Sequence, residues 1–472
     1  MGNVICISAG QLITKKHNNR INRRNQYLNY GLLSLASVLK RHQLAPVVIH
    51  GHFDTPEETL AIAIKHGLET TPYPVLLSIP SYYAVSWAKR FITLTKEILP
   101  NLQIVVGGRW VIANRPDLLQ ALVPGADQIV RGLAENSILR IVTGETAITP
   151  SWQSGNQADA EKASSLDYSL LHQRHLYQPS IEIARGCGMG CTFCQEKDEK
   201  LQPLKPPKQL VTELRSTLLK DSLVEMTPYF ETSMFVPNRK WLDALRTALD
   251  EAEMQISWRS EARVDTIKPE LVPALAASGL SIIDVGLESA SPTQLLRMRK
   301  SRDPKRYLER ASTLLRTCAE NSIRVKVNIL LFAGENSDTI QETLHWLEAH
   351  RDSIYGVSVS PVIAFGWPEN TDAYLGSLAE WGATRSHSPC AGVTHLNLSE
   401  DLNYEDSLSI ARFMSRQFMR ASQYFTLKSF SYLPRNYSFE SFLADIGHEP
   451  GSHSFSTAFL EECIQEVMGM AA

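Results

Sequence analysis

Along the first 145 residues, short apolar runs alternate with helix-length amphipathic stretches. The runs at 4–7, 47–50, 75–79, 104–106 and 128–130 have strand length. The stretches at 30–41, 57–66, 85–99 and 134–142 carry helical periodicity. Thr55, Pro56 and Glu58 spell a capping box and Gly67 a left-handed exit. This alternation predicts βαβ units around a doubly wound, Rossmann-like parallel sheet, which takes ligands beyond the carboxyl ends of its strands. Those ends carry Ser8 and Gly10, Ser78 and Tyr82, Gly107 and Gly108, and Arg131 and Gly132. Their small residues would let a backbone approach a ligand closely.

Residues 146–180 hold few apolar runs and read as a linker. A second strand–helix series follows, with strands expected at 181–184, 224–230, 256–258, 282–286, 325–332 and 356–363. Six such repeats predict a partial (β/α)6 TIM-like barrel over 181–398, with its active site at the carboxyl ends of the strands. A helix over 306–320 ends at Asn321. Residues 399–472 are expected to be helical around 404–424 and then aromatic and loop-rich. The stretches 361–367 and 424–437 are candidates for lining and covering a substrate pocket, or equally for packing.

The whole is 472 residues with a formal charge of −3 and 43 % hydrophobic residues, ordinary globular composition. That balance disfavours a nucleic-acid coat. No apolar run is long enough to span a bilayer, and the first residues lack the pattern of a secretory signal. A cytoplasmic location with no membrane or nucleic-acid partner is the expectation. Seven cysteines in such a chain point away from a disulfide framework.

Three of them, Cys187, Cys191 and Cys194, fall at C-x3-C-x2-C spacing just after the first barrel strand. Gly186, Gly188 and Gly190 strip the loop of Cβ atoms that would obstruct a bulky group. Three local thiolates would hold an iron–sulfide cluster with one iron left open. A structural zinc site is the alternative, and it needs a fourth ligand from a remote residue. Cys6, Cys318 and Cys463 read as packing, and Cys390 as a loop thiol.

Cys187, Cys191, Phe193 and Cys194 match the C-x3-C-x-aromatic-C motif, and here the sequence resembles the radical S-adenosylmethionine (SAM) superfamily. Gly286-Leu-Glu288-Ser289, with Leu295 and the Met298-Arg-Lys300 step, is similar to the family's G-x-E-S strand end. The segment from Lys326 to Gly334-Glu335 is similar to its later strand and turn, with Asn336 departing from the pattern. Phe230 to Phe235 resembles the D-x-x-F region of cobalamin-type members, with Glu231 as the nearest acidic residue. The resemblance implies a 4Fe–4S cluster on the three cysteines and reductive cleavage of SAM to a deoxyadenosyl radical. It also implies an electron donor such as flavodoxin or ferredoxin, and SAM contacts from Phe193, Glu231, Arg263, Glu288 and Ser289.

Residues 30–36, Val105 to Gly108 and Ala126 to Gly132 with Glu135 fit the cobalamin-binding domain of that subgroup. The resemblance would place cobalamin against Ser8, Gly10, Ser78, Tyr82, Gly107, Gly108, Arg131 and Gly132. The D-x-H-x-x-G motif is absent, and His17 reads as part of a solvated basic loop. Two readings stay open for this domain: a cobalamin carrier, or a lid or scaffold that has lost it. The leading functional expectation is cobalamin-dependent methyl transfer to a small molecule in a specialised, natural-product type of pathway. The alternatives are cobalamin-independent radical chemistry (aminocarboxypropyl transfer to a soft acceptor, or ring rearrangement) and a cluster- or cobalamin-binding sensor without turnover. A tRNA methylthiotransferase is a further rival, but those proteins carry three more cysteines in the first domain, where this chain has only Cys6.

Overall fold

β1 (Val4–Ser8) is buried at every position, as a strand covered on both faces by helices must be. With β2 (Pro46–His50), β3 (Val75–Ser78), β4 (Ile104–Gly107) and β5 (Gln128–Ile129) it forms an all-parallel sheet in the order β2-β1-β3-β4-β5. The chain order reverses between β1 and β3, the position where such sheets bind ligands. The protein is described by a computed structural model covering residues 2–12, 20–52, 54–110, 116–145, 166–218, 227–449 and 451–458. His17 and Cys463 lie outside the described residues. Two compact units emerge, Met1–Tyr177 with Cys390–Gly392 and Pro434–Asn436, and the remainder from Gln178.

Local sequence chemistry sets the first unit's helices. Thr55 accepts the Glu58 N–H at 3.2 Å while the Glu58 carboxylate accepts the Thr55 N–H at 2.8 Å, starting the helix Pro56–Lys65. Gly67 sits at φ 90° just beyond it. The core of this unit joins Val4, Cys6, Val48, Leu76 and Val105 to Leu32, Leu33, Ala36 and Leu39 of the helix Tyr30–Arg41.

In the second unit, β6 (Ser180–Glu182), β7 (Tyr229–Glu231), β8 (Trp258–Arg263), β9 (Leu280–Glu288), β10 (Arg324–Leu331) and β11 (Gly356–Pro361) form a six-stranded parallel sheet in sequential order. Ile181, Phe230, Trp258, Ile283, Val285, Val325, Val327 and Val357 face the surrounding helices in one apolar core. The strand expected at 256–258 is displaced to Trp258–Arg263. The reason lies in Arg259, Glu261 and Arg263, which alternate with the apolar positions and fill the inner face of the sheet, breaking the run that marks a strand in sequence. The strand expected over 224–230 is seen at Tyr229–Glu231, and residues 224–226 lie outside the described set.

Sequence pattern did not reveal a small antiparallel sheet of β12 (Ile363–Phe365), β13 (Thr384–Arg385) and β14 (Val393–Asn397), ordered β12-β14-β13. The expected strand over 356–363 ends at Pro361, where the Val362 N–H makes one last bond to the Leu331 carbonyl. The C-terminal region is more helical than expected, with Tyr404–Phe418, Ala421–Ser429 and Phe439–His448. Its aromatic residues pack on one another: Tyr424 and Phe425 lie against Phe442, which is fully buried, and Phe455 covers both Tyr424 and Phe442.

Candidate functional site

The three-cysteine loop leaves β6 and is held as a folded-back ribbon. The Cys187 N–H bonds the Glu199 carbonyl at 2.8 Å, Gly190 bonds Lys197 at 3.2 Å, and Gln202 bonds Arg185 at 2.8 Å. Gly186, Gly188 and Gly190 all take positive φ, and a Cβ on Gly186 would stand 2.4 Å from the Lys200 carbonyl oxygen. Only glycine fits that approach. The far side is anchored to the barrel, the Thr192 N–H bonding the Met298 carbonyl at 3.0 Å.

Each sulfur has a distinct neighbour. Arg263 donates from Nη1 to Cys191 Sγ at 3.1 Å, Cys187 Sγ lies 3.8 Å from Met234 Sδ, and the Glu196 N–H reaches Cys194 Sγ at 3.4 Å. Burial pushes the Cys194 thiol above its usual range. The Glu196 N–H pulls it back, and the charges of Glu196, Cys187 and Cys191 raise it again. The Cys194 sulfur thus lies within electrostatic reach of the other two across a loop opened by glycine. Cys318 is buried in the helix Pro304–Glu320 and adds no fourth thiol. Among the described residues no group of three or more His, Cys, Asp or Glu side chains, these cysteines included, is placed to hold a single metal ion. The donor set fits a larger cluster with one open position.

Around the loop stand residues expected to meet SAM. Arg263 is gripped by Asp265 at 2.9 and 3.1 Å and donates to the Lys300 carbonyl at 2.6 Å. Lys300, buried, extends Nζ to Glu288 Oε1 at 3.0 Å and passes over the Phe193 ring at 5.9 Å. Glu288 ends β9 at φ +69°, a left-handed conformation that a glutamate adopts only at a cost. Arg263, Lys300, Glu288 and Phe193 thus form one connected set beside Cys191. Ser289 is different. Its hydroxyl is taken up by Thr343 Oγ1 and the Ser291 N–H, both buried. Glu231 lies on the inner face of β7, where it accepts from Ser180 Oγ; burial pushes its carboxyl up to about 7. Lys300, Asp265 and Met234 gained no role from sequence. Lys300 sat within a quoted motif, but a partner 12 residues away is invisible without the fold.

In the first unit, the strand-end hydroxyls of Ser8 and Ser78 both accept from Asn29 Nδ2 at 3.0 Å. Two of the strand-end glycines serve backbone packing: a Cβ on Gly10 would meet the His52 carbonyl oxygen at 2.5 Å, and one on Gly108, at φ +114°, the Ile79 carbonyl oxygen at 2.4 Å. Gly107 is less confined, with Val130 O at 3.4 Å. Ser81, in the loop after β3, keeps a buried hydroxyl with no hydrogen-bond partner. Tyr82 beside it is buried, and Gly132 takes φ +79° next to half-buried Arg131. An orphaned donor at the switch point fits a polar ligand there, through Ser81 rather than through Ser8 and Ser78. Cys6 is buried within β1, and burial pushes its thiol up to about 12, as a packing role requires. No helix among the described residues is long and apolar enough to cross a membrane.

Comparison with known proteins gives consistent findings. Residues 181–347 match the family model of the Radical SAM superfamily. The ribosomal protein uS12 methylthiotransferase RimO of Methylobacterium radiotolerans is 26 % identical over 200 residues, 39 % of this chain and 44 % of that protein. An uncharacterized methyltransferase of Pyrococcus horikoshii is 22 % identical over 244 residues, 47 % of this chain and 52 % of that protein. The chain thus spans about half the length of the curated relatives it matches. Among solved structures, the radical SAM methyltransferase TsrM from Kitasatospora setae aligns at TM-score 0.60 and 17 % identity, covering 89 % of this chain and 83 % of that one. The cobalamin-dependent radical SAM enzyme OxsB, bound to aqua-cobalamin and SAM, aligns at TM-score 0.59 and 19 % identity, covering 74 % and 52 %. At these identities the likeness is one of fold.

Proposed function

We propose, from the match of residues 181–347 to the radical SAM superfamily and a likeness of fold to cobalamin-dependent members, that the chain is a transferase that cleaves SAM reductively and moves a methyl group onto a small-molecule substrate. When bound, a 4Fe–4S cluster on Cys187, Cys191 and Cys194 supplies the electron for that cleavage, and cobalamin in the first domain a cobalt able to carry the methyl group. The observation that carries the reading is Arg263, which ties the Cys191 sulfur to the Lys300 backbone and thereby to Glu288.

The residues divide the work. Arg263 fixes one thiolate and closes the loop against the barrel. Glu288 presents a carboxylate that can accept from ribose hydroxyls, and Lys300 an ammonium that can take the carboxylate of the methionine end. Phe193, between two of the cysteines, offers a ring face for adenine. Ser289 positions the Glu288 turn through Thr343 and Ser291. In the first domain Ser81, Tyr82, Gly107 and Gly132 would border cobalamin. Burial of Cys191, Arg263 and Lys300 keeps water from the reacting end.

Anaerobic reconstitution with iron and sulfide, reduction in the presence of SAM, and mass spectrometry of the nucleoside products test this. Deoxyadenosine or S-adenosylhomocysteine is the expected product, and visible absorbance of retained corrinoid the second readout. No SAM cleavage by a fully loaded protein overturns the proposal.

A further inference from the structure

The inner face of the barrel sheet carries an unbalanced row of charge. The paired registers Glu182 to Glu231, Phe230 to Ser260, Glu261 to Asp284 and Lys326 to Asp284 set Glu182, Glu231, Glu261, Asp284 and Lys326 side by side across five strands. Neighbouring strands are about 4.8 Å apart, so like charges in such a row repel unless each is matched. Some are matched. Arg185 holds Glu182 at 2.6 Å, and Arg259 holds Asp284 Oδ2 at 2.5 Å, itself fixed to the Leu427 carbonyl of the C-terminal helix.

The rest are matched less closely. Asp284 Oδ1 has no hydrogen-bond partner, its side chain being 5 % exposed, and its ion pair with Lys326 is long at 3.9 Å. Glu231 has the Ser180 hydroxyl. The Glu261 carbonyl accepts from the Phe235 N–H at 3.3 Å, but its carboxyl has neither a hydrogen bond nor an ion pair among the described residues. Four carboxyls, Glu182, Glu231, Glu261 and Asp284, thus face three cations, Arg185, Arg259 and Lys326, and a carboxylate left over inside a protein is costly, so the row would take one further cation. The face is not packed solid, since Glu261, Lys326, Asn328 and Ser358 keep partial exposure. Two residues up β8 from Glu261, Arg263 touches the Cys191 sulfur. At about 3.3 Å per strand residue, the row lies about 6.6 Å below the cysteine mouth.

We propose that the barrel interior recognises its substrate through a cationic nitrogen, an alkylammonium or guanidinium, seated between Glu261, Asp284 Oδ1 and Glu231, with the remainder of the molecule reaching toward the cysteine loop. This deepens the transferase reading and rests on it for the statement that the occupant is a substrate. Burial, with the charges of Glu231 and Asp284 against those of Lys326 and Arg259, pushes the Glu261 carboxyl up to about 8. The cation is therefore taken up more tightly as pH rises through that range. Tyr229 and Tyr432 flank Arg259 at the bottom of the row, and burial holds Tyr229 neutral there.

The test uses the full chain, reconstituted anaerobically, with n-butylammonium as probe and 1-pentanol as its neutral counterpart, followed by calorimetry. We expect at least tenfold tighter binding of the ammonium at pH 8.5, weakening tenfold by pH 6.5, and loss of that preference in Glu261→Gln. Saturating SAM should leave n-butylammonium bound. Equal affinity for the alcohol overturns the proposal, and so does displacement by SAM, which would make the row the seat of SAM's own ammonium. At pH 8.5, where the Glu261 carboxyl is ionised, Glu261→Gln should melt no lower than the parent, since it removes a charge held by no ion pair; a clear loss of stability shows that the carboxylate is already satisfied and also overturns it. Cation binding in a protein that fails to cleave SAM would refute the transferase reading and spare the site.

Discussion

Lys205 and Glu213 form a buried ion pair at 2.5 Å, with side chains 5 % and 2 % exposed. It closes the cysteine ribbon: the Lys205 N–H bonds the Ile183 carbonyl at 2.7 Å, and the Lys205 carbonyl accepts from Trp241 Nε1 at 2.9 Å. Lys205→Met keeps the length of the stem but takes the ammonium from the buried Glu213 carboxylate, which costs about 3–5 kcal/mol. A domain holds about 5–15 kcal/mol in total, so the barrel should lose a fifth or more of its stability. Adding Glu213→Leu removes the carboxylate as well, and an apolar pair of similar volume is often neutral. The double variant should therefore recover at least about 2 kcal/mol over Lys205→Met. Urea unfolding followed by tryptophan fluorescence reads both values, and iron content after reconstitution reads whether the ribbon is still held. A double variant as unstable as Lys205→Met would refute the reasoning, because the cost would then come from lost packing of the lysine stem and not from the buried carboxylate losing its ammonium.

Cys191→Ala should lose cluster iron and all nucleoside products of SAM, checked by iron assay and mass spectrometry. Arg263→Lys keeps the charge but not the fork that spans Asp265, Cys191 and the Lys300 carbonyl; SAM cleavage should fall about 10- to 100-fold, about 1.4–2.7 kcal/mol at a factor of ten per 1.36 kcal/mol. His52 is held down to about 4 by burial, so the unfolded chain binds the extra proton between about 6.5 and 4 and stability falls as pH drops through that window. His52→Asn, which tolerates the left-handed backbone at φ 37° and cannot titrate, should flatten that slope in urea midpoints measured from pH 7 to 4.5. Gly108→Ala places a Cβ 2.4 Å from a backbone oxygen and should destabilise the first unit by more than about 1 kcal/mol, seen in the same melts.

The strands were legible where burial on both faces made a continuous apolar run, as in β1, or where apolar residues alternated with polar ones, as in β10. β8 was misplaced because half of its residues are charged and turned inward, where Asp284, Asp265 and the Cys191 sulfur receive its two arginines. The cysteine loop was legible because its ligands are local in sequence. Its supports were not: Lys300, Asp265 and Met234 reach it from other strand ends, and spacing carries no trace of such contacts. Ser8 and Ser78 looked free because small polar residues at strand ends look alike whether they face a ligand or an asparagine 21 or 49 positions away.

Glu288 has one consequence for how this protein would drift under mutation. Glycine at that position would relax the backbone, by about 1 kcal/mol, and at the same time delete the carboxylate that Lys300 holds. The loss outweighs the relief, since taking one partner from a buried ion pair costs about 3–5 kcal/mol, so a library screened for heat tolerance alone should keep glutamate at 288 and with it the strained turn.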